Sequence, residues 1–148
     1  MPSQNKQNIV FDSIKEKLIE VKFTKLADTT KKYKILLDNI LTAKNVNIDG
    51  FVIEAKRILR FEPKGAFEIL IVFNIECKLA QESKEFFKDD LDKLHKFIEK
   101  RKIELFNDLE VGNLMSILIT QITMANNFKS IVVPPFITEL EPKNAENL

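Results

Sequence analysis

A chain of 148 residues, 45% hydrophobic and 30% charged, is long enough for one globular domain and short for two; at that size a fold removes roughly two-thirds of the unfolded surface from water. Its 23 basic and 22 acidic side chains leave a formal charge of +1, and all but Arg57, Arg60 and Arg101 of the cations are Lys. That argues against a nucleic-acid binder, whose affinity draws on clustered cation–phosphate contacts. The three glycines, Gly50, Gly65 and Gly112, stand too far apart for a phosphate-cradling loop.

Residues 1–8 contain no apolar stretch of the kind a secretory signal needs. The first legible element alternates: Ile19, Val21 and Phe23 share one face, and Glu20, Lys22 and Thr24 the other. Period two predicts a half-buried strand. Upstream, Phe11, Ile14 and Leu18 fit a helical turn as well as a bulged strand. Residues 31–48 stay open: Tyr33, Leu36, Leu37 and Ile40 have helical spacing, yet Lys34–Asp38 also reads as a strand.

The centre is clearer. Phe51, Ile53, Ala55, Arg57, Leu59 and Phe61 alternate with Val52, Glu54, Lys56, Ile58 and Arg60. Glu62-Pro63-Lys64-Gly65 then reads as a turn. Phe67, Ile69, Ile71, Phe73, Ile75, Cys77 and Leu79 follow on one face of a thirteen-residue strand. Two long strands joined by a short turn predict an antiparallel hairpin, here the centre of a sheet of at least three strands.

Asp89 or Asp90 can cap a helix whose apolar stripe is Phe87, Leu91, Leu94, Ile98 and Leu105. A second helix, about Leu109 to Ala125, is apolar nearly all round, and Asn126-Asn127 would end it in the left-handed conformation. The uncharged run from Val111 to Phe128 carries too many polar residues to span a membrane, so it reads as a buried helix in a cytoplasmic protein. Ser130–Phe136 then runs extended. Strands first and helices last predict an α+β fold: an antiparallel sheet of about four strands with two C-terminal helices on one face. Residues 1–148 form one domain, with 1–8 and 139–148 as flexible tails.

Chemistry has little to stand on. His95 is the only histidine and reads as a helix-surface residue, Cys77 as a small buried hydrophobe. No ligand set for a metal and no nucleophile setting is visible, so neither catalysis nor a cofactor is expected. Twelve Phe exceed what a core strictly needs, and a surplus at the surface would mark an interaction site.

The order strand, hairpin, helix, apolar helix, Pro-Pro segment resembles the SecB-like chaperones. The stretch Leu118 to Phe136, ending in Ile131-Val132-Val133-Pro134-Pro135-Phe136, is similar to the family's closing pattern; Ala66-Phe67-Glu68-Ile69 resembles the opening of its last strand, and Ile19-Glu20-Val21-Lys22-Phe23 its first. The family's Phe-Pro-Tyr-like helix entry is replaced here by Asn113-Leu114-Met115-Ser116. The resemblance implies a holdase that grips unfolded polypeptide or an antitoxin, assembled as a dimer or tetramer. It implies a client groove lined by Phe51, Ile53, Phe67, Ile69, Leu70, Ile122, Val133 and Phe136. Export members are acidic and dock the SecA motor through carboxylates; of the matching positions Glu20 is acidic but Thr24 and Leu70 are not, which makes SecA a doubtful partner. Two rival readings remain: a dedicated subunit whose apolar surface one partner covers permanently, and a small apolar-ligand-binding domain.

Overall fold

The computed structural model describes residues 9–26, 34–62, 67–88, 90–126, 131–137 and 143–144. Four long strands, β1 (Phe11–Lys25), β2 (Lys34–Asn47), β3 (Gly50–Glu62) and β4 (Phe67–Leu79), precede three helices, α1 (Gln81–Phe87), α2 (Leu91–Asp108) and α3 (Val111–Ala125). A two-residue strand, β5 (Lys143–Asn144), pairs with β2. All pairings are antiparallel and the sheet order is β1-β4-β3-β2-β5. The fold is α+β, with the β3–β4 pair at its centre as the alternation predicts. Residues 63–65 of the expected turn, the expected tail 1–8, and the expected tail 139–148 apart from residues 143–144 fall outside the described residues.

The alternating residues of β3 and β4 face the helices. Ile53, Leu59, Ile69, Ile71 and Ile75 are completely buried, and Leu94, Ile98 and Phe106 of α2 with Val111, Met115 and Ile119 of α3 close over them. Burying side chains of this size contributes about 1.5–3 kcal/mol each.

Residues 34–47 are strand, not helix: Leu37, Asn39 and Leu41 face Leu59, Arg57 and Ala55 across the ladder. Pairing to β3 supplies the backbone partners that helical spacing alone left undecided. At the β2–β3 turn, the Asp49 amide donates to Asn47 Oδ1 at 2.8 Å, and Gly50 approaches β4 so closely that a Cβ there would lie 2.0 Å from the Cys77 carbonyl oxygen.

β1 takes the bulged alternative. Register shifts between Phe11 and Ser13 and between Leu18 and Glu20 change the phase twice, so Phe23 and Val21, then Leu18, Glu16 and Ile14, then Phe11 stand opposite helix-facing residues of β4. Ile19, expected beside Val21 and Phe23, is instead the extra residue of a bulge and is 54% exposed.

The helical expectations need three corrections. Phe87 belongs to the separate short helix α1, which ends where Lys88 takes φ 45°. Asp90 caps α2, its Oδ1 accepting from the Lys93 amide at 3.1 Å, but Leu91 stays exposed and Phe106 is the buried member near the end of the stripe. At the end of α3, Asn126 is not left-handed (φ −99°); its Nδ2 donates to the Ile122 carbonyl at 2.8 Å instead.

The start of α3 is completed from far away. Its own Glu110 side chain makes no cap; instead Glu16 Oε1 of β1 accepts from the Glu110 amide at 3.0 Å and the Val111 amide at 3.2 Å. A carboxylate on these free amides satisfies them and complements the positive end of the helix. Glu16→Ala should lower stability by about 1 kcal/mol, read as a lower urea midpoint with unchanged slope, and Glu16→Gln should recover part of the loss.

Candidate functional site

Between the helix-facing side of the sheet and α2 lies a cavity of about 310 Å³, at the small end of ligand-sized pockets. The sheet supplies Phe11, Phe51 and Ile53, and α2 supplies Phe97, Ile98 and Leu105. Phe11 and Phe51 meet edge to face at 6.0 Å, a favourable geometry for two rings. On α2, Phe97, Arg101, Glu104 and Asp108 recur at steps of three and four and so share one side of the helix. The lining therefore combines an apolar wall with Arg101, Lys102, Glu104 and Asp108. Arg101 pairs with Glu104 at 3.0 Å, and Lys102 with Glu99 at 2.7 Å and the Leu41 carbonyl at 3.2 Å.

The eight residues named for a client groove do not meet at one place. Phe51 and Ile53 line the cavity. Phe67 and Ile69 are buried at the other end of the sheet, where the Phe67 ring stacks on Phe23 at 5.4 Å and meets Phe61 edge-on at 4.9 Å. Leu70 pairs with Lys22 and Ile58 on the helix-free face. Ile122 is half-buried on α3, while Val133 is 1% and Phe136 59% exposed within residues 131–137. Period two alone assigns residues to a face, but the turn at 62–65 already sets Phe51 and Phe67 at opposite ends of the hairpin. Phe97 and Leu105, absent from that expectation, were accessible through the helical repeat of α2.

A polar cluster lies in the same layer. Arg57, on the helix-facing side of β3, is completely buried. Its Nε donates to Asn39 Oδ1 at 2.8 Å, and its Nη1 to the Pro134 carbonyl at 2.7 Å and to Ser116 Oγ at 3.4 Å. The guanidinium carbon stands 5.8 Å from the Phe106 ring centroid. Burial pushes the guanidinium down to about 10, so it stays charged at neutral pH.

Residues 131–137 are not a strand as their extended reading suggests but a strap that bends at Pro135-Phe136 and is tied to the helices through its backbone. The Ile131 amide donates to Thr123 Oγ1 at 3.1 Å and its carbonyl accepts from Thr120 Oγ1 at 3.1 Å. Asn107 exchanges two hydrogen bonds of 2.8 Å with Ile137. Gly112 lets the strap press close, since a Cβ there would lie 1.8 Å from the Pro135 carbonyl oxygen.

His95 is exposed on α2. Among the described residues no group of three or more His, Cys, Asp and Glu is placed to hold a metal, and no helix is long and apolar enough to cross a membrane. Burial raises the Cys77 thiol to about 12, so the nucleophilic thiolate is scarce at neutral pH. Iodoacetamide should leave the native protein unmodified and add one carbamidomethyl group in denaturant; rapid native labelling would place the thiol elsewhere.

No family model and no curated protein sequence matches the chain. Among solved structures, the chain is similar to the Mycobacterium tuberculosis SecB-like chaperone Rv1957 in complex with a ChAD peptide from the Rv1956 HigA1 antitoxin. The likeness covers 84% of this chain and 87% of that one, with a TM-score of 0.48 and 10% sequence identity.

Proposed function

We propose that the protein is a passive polypeptide-binding chaperone of the SecB-like kind, holding unfolded segments by apolar contact and without nucleotide. The observation that carries this reading is the cavity: its aromatic wall of Phe11, Phe51 and Phe97 suits apolar side chains, and Arg101, Lys102, Glu104 and Asp108 give it a polar rim. Client release and capture then follow from mass action on the unfolded chain. Support also comes from the edge strand β1, where Leu18, Ile19 and Val21 are 50%, 54% and 41% exposed; an extended chain adds readily to such an edge.

The helix-free face of the sheet bears on the partner. Asp38 pairs with Arg60, Glu76 with Lys17, and Glu54 with both Lys44 and Lys56. The two lysines hold the Glu54 carboxyl below the usual carboxylate range, the hydrogen bond from Lys44 being the largest cause. With Asp38, Glu54 and Glu76 each paired to a cation, this face offers fewer free carboxylates to a motor such as SecA that reads negative charge, which supports a peptide or antitoxin client over export.

The wild-type protein should slow aggregation of a reduced, unfolded test client at equimolar subunits. Phe97→Asp and Leu105→Asp, on half-buried wall residues, should weaken that effect several-fold with circular dichroism unchanged, because an unpaired carboxylate against an apolar wall is costly. If several unrelated clients aggregate at the uninhibited rate, the reading fails.

The expected homo-oligomer has its own observation. α3 leaves Leu114, Ile117 and Met124 41%, 51% and 60% exposed, at steps of three and seven along one side. We assign that stripe to self-association of a homo-oligomer. Sedimentation equilibrium at micromolar concentration should give a multiple of 17.2 kDa, reduced by Ile117→Asp; a wild-type monomer would leave the stripe to a different partner.

A further inference from the structure

We infer that Arg57 is an anion site for a carboxylate carried by a bound polypeptide, which docks by taking the place of the Pro134 carbonyl. The inference rests on the proposed polypeptide binding and adds to it the chemistry of the segment recognised.

A guanidinium has five N–H donors. Three nitrogens share them here, and only neutral acceptors meet them: the Asn39 amide oxygen, the Pro134 carbonyl and the Ser116 hydroxyl. Nη2 is buried and has no partner among the described residues. Among the described residues no carboxylate is a partner of Arg57. The acidic side chain of neighbouring β2, Asp38, lies on the opposite face and is tied to Arg60 at 2.7 Å. A buried cation without a counter-charge is costly, and in this layer Leu59, Phe106 and Met115 are apolar and almost inaccessible. An arriving carboxylate answers both deficits: it neutralises the charge and accepts from Nη2 and Nη1 side by side, the fork geometry that suits guanidinium.

The route is through the strap. Pro134 offers Arg57 only a backbone carbonyl, and the strap's other polar ties also run through its backbone, at Ile131 and Ile137. Breaking the Pro134 tie frees Nη1 without uncovering a charge on the strap itself. The ligand class is an extended, mainly apolar peptide with an Asp, a Glu or a C-terminal carboxylate among its apolar residues. A buried water on Nη2 is the competing occupant, and it predicts no preference between acidic and neutral peptides.

The test needs no variant in its first arm. Wild-type protein is titrated, by fluorescence polarisation at neutral pH, with a labelled peptide of Phe, Leu and Ile carrying one central Asp, and with its Asn twin. The Asp peptide should bind roughly ten-fold more tightly or better, as a charge-assisted pair replaces a neutral one. Arg57→Gln should equalise the two, and Arg57→Lys should retain part of the preference, both with circular dichroism unchanged. Equal wild-type affinity for the twins overturns the anion site and leaves the polypeptide-binding function standing. Failure of both peptides to bind overturns the two together. If the Arg57 variants do not fold, the wild-type pair alone decides.

Discussion

The rest of the molecule depends on the ladder between β3 and β4. β4 carries an unbroken row of apolar residues facing the helices and β3 a row broken at Arg57, and the antiparallel register sets Ile53 against Ile75 and Leu59 against Ile69. A slip of one residue would turn the slipped strand's row to the wrong side of the sheet. With the rows locked, everything else docks on them: β1 against β4, β2 against β3, and the helices over the shared face. The cavity is bounded by that arrangement, since Phe51 and Ile53 at one end of the β3 row meet α2 above them.

What the sequence disclosed follows from the reach of each signal. The hairpin was legible because alternation over Phe67 to Leu79 has no helical competitor, and the Asp90 cap because a side-chain oxygen before an amphipathic run acts locally. β2 was ambiguous because Leu36, Leu37 and Ile40 satisfy both periods; the deciding bonds lie on β3 and are non-local. In β1 two bulges reset the phase, so a strand of fifteen residues looked like a shorter strand behind a helical fragment. The cap on α3 was beyond reach for a similar reason: Glu16 and Val111 are 95 positions apart.

The candidate site was legible in part. Alternation alone placed Phe51, Ile53 and Arg57 on the apolar side, and an arginine in such a row is itself a signal of unusual chemistry. The turn of the hairpin separates the Phe51 end of the sheet from the Phe67 end, but alternation could not tell that the Val132 and Phe136 side chains point to solvent while Val133 and Ile137 anchor the strap. The α3 stripe escaped too. A helix apolar on every side suggests full burial, yet a single copy of this chain has one sheet to cover it, so one side remains open.

The edge strand β1 also sets the order of synthesis against the order of assembly. β1 pairs with β4 and not with its neighbour in sequence, so residues 26–66 must leave the ribosome before its first hydrogen-bond partner exists. Until then Leu18, Ile19 and Val21 are an apolar segment of the nascent chain whose ladder has not formed, the kind of segment prone to mispairing. Glu16 waits longer still, for the start of α3. A protein whose proposed task is to shelter exposed strands therefore begins its own life as one, and its folding rate is limited by the closure of its longest loops.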